Sequence, residues 1–206
     1  MKVKDMGKEV NVRIILLEEM LGTASANPEI HSEFIASKAP DARSIEEEVA
    51  AIGAAAVEQK QMTVFPRDEE GNPVMWDYQI KGFMKDVCKM LHDVKDSESS
   101  KIKAYKKVID GKIFVNPRMI RLDMHGGKMG VCQRPLRAQT PQGERVALAS
   151  SETVPAGTTM EVTFFMLDPD AYEAALLEWL DYGILRGLGQ WRNSGKGRFS
   201  YVVTEE

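Results

Sequence analysis

Residues 8–21, KEVNVRIILLEEML, first alternate apolar and polar side chains and then run apolar from Ile14 to Leu17, which predicts a long, buried strand. The next segment, NPEIHSEFIASKA, has Asn27 placed to cap a helix and Pro28 at its first position, where a missing N–H costs nothing. Residues 44–60 place Ser44 three positions before Glu47, a capping-box spacing that predicts a second helix. The segment MTVFPRDEEGNPVMWDYQ reads as two short strands about a polar turn. Residues 80–94 set Phe83, Val87, Met90 and Val94 at helical spacing, and the residues around Gly111 and Pro117 read as strand. A turn at HGGKMG follows, then a hairpin and a strong strand from Thr158 to Leu167. An amphipathic helix opens at Asp168 or Asp170, with Tyr172, Ala175, Leu176, Trp179, Leu180 and Ile184 as its apolar positions, and GRFSYVV reads as a last strand.

With residues 20–60 set aside as an acidic helical insertion, the order is βαββαβ. This predicts an α+β, ferredoxin-like domain over 1–206, with both helices on one face of an antiparallel sheet.

One stretch does not fit simple alternation. Residues 185–199 hold Gly187, Gly189, Gly195 and Gly197, interleaved with Arg186, Arg192, Lys196, Arg198 and Trp191. A helix cap explains one or two glycines. Four glycines with four cations suggest a loop whose backbone closes on an anion, with Trp191 available to stack on a base. The P-loop spacing is absent, since Lys196 is followed by Gly197 and the stretch follows a helix rather than a strand.

Charge sharpens this reading. The net charge is −4, yet the chain is divided: twelve acids face four bases between Glu18 and Glu70, and eleven bases face three acids between Lys101 and Arg145. Such separation suits a polyanion-binding face. At 206 residues, 43% hydrophobic and 28% charged, the composition is that of a globular domain with an insertion. No apolar run is long enough for a membrane span, and the amino terminus lacks a signal-peptide pattern, so a cytoplasmic protein is expected. Two isolated cysteines and three histidines offer no metal-ligand spacing, and no cofactor is expected.

Several segments together resemble the RAMP (repeat-associated mysterious protein) superfamily, the RNA-binding subunits of class 1 CRISPR effectors and related guide-RNA-processing endonucleases. The carboxy-terminal loop of that family reads G-x-G, basic residues, then G-x-G-R-F, and Gly187, Gly189, Gly195, Gly197, Arg198 and Phe199 match it. Pro155, Gly157 and Thr158 match a recurring P-x-G-T before the second helix, with Met160 in place of an aromatic. Ile80, Lys81 and Gly82 stand where the family opens its first helix, without the usual proline and serines. The chain also resembles uncharacterised proteins of phages and prophages.

The RAMP resemblance implies a ferredoxin-like RNA-recognition fold that contacts the RNA backbone through the loop and the start of the first helix. The GGDD polymerase signature is absent, and a stand-alone, non-catalytic RNA-binding protein is expected. The residues expected at the RNA are Lys81, Lys85, Arg134, Arg137, Arg186, Gly187, Gly189, Trp191, Arg192, Gly195, Lys196, Gly197 and Arg198. Arg192 and Lys196 are expected to be exposed and turned toward the Lys81 helix start. The ligand is single-stranded RNA or a guide–target duplex. Further partners are a second copy in a head-to-tail row, or a CRISPR effector subunit. An alternative is a phage interaction module that mimics or blocks such a subunit. A lesser alternative is a metal-independent RNA endonuclease using His125, a loop histidine beside Gly126 and Gly127 and the weak candidate for a general base. Phe199 and Trp179 are expected in the core; Trp76 and Trp191 are open between packing and stacking.

Overall fold

The computed structural model describes residues 6–26, 62–140 and 143–204, with side chains outside 136–147. Of the expected insertion, residues 27–60 lie outside the described residues; residues 20–26 hold two short strands. The elements run β1 (Gly7–Leu16), β2 (Met20–Leu21), β3 (Ala24–Ser25), β4 (Thr63–Val64), β5 (Val74–Trp76), α1 (Asp77–Leu91), α2 (Tyr105–Lys112), β6 (Ile113–Asn116), β7 (Met119–Arg121), β8 (Gly130–Thr140), β9 (Gly143–Val154), β10 (Thr159–Leu167), α3 (Pro169–Asp181), α4 (Gly183–Arg186) and β11 (Phe199–Thr204). The class is α+β with mainly antiparallel sheets.

The chain divides into two compact units. The first comprises Met1–Met20, Pro66–Lys128 and Val154–Glu206, and is built on a four-stranded sheet of order β11-β1-β10-β6. Each neighbour is antiparallel, with Val12 opposite Val162 and Val203, and Phe165 opposite Phe114. Alternation sends Val10, Val12, Ile14 and Leu16 of β1 into the core with Met160, Val162, Phe164 and Met166 of β10. α1 adds Ile80, Phe83, Met84, Val87 and Cys88, an i, i+3, i+4, i+7, i+8 stripe, and α3 adds Ala175, Leu176, Trp179 and Leu180. Phe199 and Trp179 are fully buried, as expected. The second unit, Leu21–Phe65 and Met129–Thr153, carries the β8–β9 hairpin, antiparallel from Gly130 opposite Thr153 to Thr140 opposite Gly143.

Five features depart from the sequence reading. β1 ends at Leu16. α1 begins at Asp77, where the Gln79 side chain accepts from the Trp76 N–H at 2.8 Å and fixes the start. That helix ends at Leu91; Met90 on its last turn and Val94 beyond it are both exposed. Residues 106–112, part of the stretch read as strand around Gly111, lie in α2. The last helix also breaks earlier than its pattern suggests. A Cβ at Gly183 would lie 2.3 Å from the Phe199 ring, and beyond this close approach Ile184 is exposed.

Candidate RNA-binding site

The loop from Gly187 to Arg198 folds back on itself. The Leu188 N–H donates to the Gly197 carbonyl at 2.9 Å, and the Gly197 N–H donates to the Glu19 carbonyl at 2.8 Å. A Cβ at Gly197 would fall 1.9 Å from the Leu188 oxygen, and one at Gly187 would fall 2.6 Å from the Lys196 oxygen. Both residues have positive φ. These two glycines therefore serve the approach of one limb of the loop to the other, a different use from the expected approach to a ligand. Backbone donors follow the same pattern. The N–H groups of Gly187, Leu188, Ser194, Gly195 and Gly197 all donate to backbone carbonyls, so these five do not form an anion-binding nest.

Anion chemistry falls to the side chains. Arg186, Arg192 and Arg198 line an open cleft of about 610 Å³ with Tyr182, Leu185 and the short turn Asn193–Gly195. Arg186 Nε and Arg192 Nη1 each donate to Asp86 Oδ2 at 2.9 Å, and Arg186 Nη1 donates to Asn193 Oδ1 at 2.8 Å. Arg198 Nε donates to the Gly195 carbonyl at 3.1 Å, and its Nη2 stands 3.8 Å from Glu18. Three guanidiniums thus converge on one cleft, and Asp86, which is not part of its lining, holds two of them. The planar fork of a guanidinium matches phosphate oxygens, so a cleft lined by three of them has the chemistry to receive a phosphate.

Asp86 is the residue the sequence reading missed. It orients two of the three arginines, and its only signal was its place on the polar side of an amphipathic helix.

The expected exposure of Arg192 and Lys196 is corrected. Their side chains are 28% and 24% exposed and are held in ion pairs, Arg192 with Asp86 and Lys196 with Glu19 at 2.5 Å. Arg198 is the more open cation at 42%. Trp191 is 41% exposed, at φ +55. Gly189 and Gly195 also have positive φ.

Lys81 and Lys85 do not join this cleft. Both lie beyond the first turn of α1, on a different side of the helix from Asp86. Lys85 pairs with Asp110 at 2.6 Å, and Lys81 reaches the Asp110 carbonyl and the face of Phe114. Arg134 lies on β8 in the second unit; Arg137 is on the same strand, with its side chain outside the described residues. The basic segment 101–145 is therefore split between two units at Lys128.

His125 sits in a tight turn at φ +49. Its N–H donates to Asp123 Oδ1 at 2.8 Å, Nδ1 stands 3.6 Å from Asp123 Oδ2, and Nε2 lies 2.9 Å from Thr159 Oγ1. It borders an open cleft of about 670 Å³ with Arg13, Arg121 and Glu161. Among the described residues, no three His, Cys, Asp or Glu side chains gather as a metal site requires. Among the same residues, no helix is long and apolar enough to cross a membrane.

No family model matches this sequence, and no curated protein matches it. Solved structures do match in fold. The chain superposes on one from the cryo-EM structure of the Type III-B Cmr-beta bound to cognate target RNA with a TM-score of 0.54 at 12% identity, covering 98% of this chain and 62% of that one. The crystal structure of Cmr6 from Pyrococcus furiosus gives a TM-score of 0.47 at 11% identity, covering 95% of this chain and 99% of that one. This chain thus spans less than two thirds of the first of these chains. The RAMP-like resemblance first drawn from the loop residues is met by a likeness in fold to a chain of Type III-B Cmr-beta.

Proposed function

We propose that this protein is a RAMP-like RNA-binding protein that holds the phosphate backbone of RNA, without cutting it, in the arginine cleft beside the glycine-rich loop. The observation that carries this reading is the convergence of Arg186, Arg192 and Arg198 on one open cleft, two of them held by Asp86 from outside its lining. The frame is ferredoxin-like. In its support, the strand order β11-β1-β10-β6 is the order 4-1-3-2 of a βαββαβ unit, with α1 between its first two strands and α3 between its last two. The protein acts in the cytoplasm, alone or in rows of copies along the RNA. His125 is a turn residue: its ring lies between Asp123 and Thr159, and its left-handed backbone suits a tight turn.

The test is binding of a mixed-sequence single-stranded RNA at two salt concentrations. Affinity should fall steeply with salt, and Arg198→Ala should weaken binding across sequences and flatten the logarithmic salt slope by about 0.7 for one lost phosphate contact. Absence of binding at low salt, or an Arg198→Ala variant with unchanged affinity and slope, would remove this assignment.

A further inference from the structure

Four aromatic rings and two cations form one rim on the first unit, away from the arginine cleft. Trp76 and Tyr78, at the start of α1, stack with ring centroids 6.5 Å apart and planes 12° from parallel. Phe114 and Phe165 face each other across β6 and β10 at 6.2 Å. Local geometry joins the two pairs. Tyr78 and Lys81 are neighbours at i, i+3 on α1, and Lys81 Nζ lies 5.2 Å over the Phe114 ring. β6 leads through Asn116 and Pro117 to Arg118, whose guanidinium lies 5.9 Å from the Trp76 ring. The Arg118 carbonyl accepts from the Asp77 N–H at 2.9 Å, which ties that turn to the helix start.

These rings are not all core. Tyr78 is 60% exposed and Phe114 is 39% exposed. Among the described residues neither Lys81 nor Arg118 forms an ion pair; Lys81 reaches the Asp110 carbonyl and the Phe114 ring, and Arg118 the Trp76 ring. The Asp77 carboxylate accepts from the Tyr78 N–H at 2.8 Å. Exposed aromatic rings interleaved with cations that no carboxylate neutralises match a strand whose bases are free to stack and whose phosphates follow alongside. A duplex hides those base faces.

We infer that the Trp76–Tyr78–Lys81–Phe114 rim is a base-stacking platform for single-stranded RNA, so that the protein selects unpaired strands over a guide–target duplex. This rests on the RNA reading above and adds the substrate class.

The test compares a mixed-sequence 15-nucleotide RNA with an abasic ribose-phosphate strand of about the same length, and with the RNA annealed to its complement. The intact single strand should bind about tenfold more tightly than either of the others, about 1.4 kcal/mol. Tyr78→Ala and Phe114→Ala should each reduce binding of the intact strand severalfold and leave abasic binding unchanged, and Tyr78→Phe should restore it. Equal affinity for intact and abasic strands, or a preference for duplex, overturns the platform and leaves the phosphate cleft standing. Wild-type protein that binds none of the three overturns both.

Discussion

A methyl group at Gly197 has no room: it would sit 1.9 Å from the Leu188 carbonyl oxygen, on a backbone at φ +70 that side chains avoid. Gly197→Ala should destabilise the fold by at least about 2–3 kcal/mol, through both the clash and the strain. Gly82 is the contrast. It is exposed in the middle of α1, and nothing lies within 4 Å of a Cβ built there. Gly82→Ala should stabilise by about 0.5–1 kcal/mol, because alanine loses less backbone entropy on entering a helix. Thermal melts of the two variants should therefore move in opposite directions, by about 2–4 °C for each kcal/mol in a chain of this size. Equal shifts would mean that the two limbs of the loop do not meet as described.

Between elements, Asp86 holds α1 to α4 and to the loop through its bonds to Arg186 and Arg192. Asp86→Asn should lower stability by about 1–3 kcal/mol, since two half-covered guanidiniums lose their charged partner. The same change should raise RNA affinity at low salt, because a carboxylate that competes with phosphate is gone. β11 and α3 are tied by Tyr201, whose hydroxyl donates to Asp181 at 3.0 Å. Burial, with that carboxylate, pushes the Tyr201 pKa from 10.0 up to about 12. A raised pKa stabilises the fold below the unfolded value and ceases to do so as pH rises through the folded one. Melting temperature should thus lose this contribution between about pH 10 and 12, and Tyr201→Phe should remove that part of the slope. How far these elements were legible depended on what specified them. β1, β10 and α3 carry long periodic patterns, and their positions followed from alternation or helical spacing. Residues 105–112 did not, because Val108 and Ile109 suit a strand equally well and the helix starts at Tyr105, after Ala104, a left-handed residue that offers no side-chain cap. The loop glycines were visible as a motif. Their contact across ten residues and the pairing of its arginines with Asp86, 100 and more residues away, exist only in three dimensions.

At the scale of the whole molecule, the four-stranded sheet ends on two unlike strands, β6 and β11. Each has a single partner in that sheet among the described residues, and β11 exposes Val202 and Val203. An open edge with exposed apolar residues is a template for another chain. Pairing unlike edges of two copies is a heterologous contact, which extends as a row instead of closing on a two-fold axis. An RNA strand long enough to reach several clefts makes each later copy's binding intramolecular and strengthens the row. Light scattering should therefore report a mass above the monomer that rises when a long single-stranded RNA is added. Val202→Lys should lower that mass, since a charge on an edge strand opposes strand addition, while leaving the affinity for a short RNA that spans one cleft unchanged. A monomer with and without RNA removes the row. A mass that rises with RNA but ignores Val202→Lys places the contact away from β11, with the RNA alone bringing copies together.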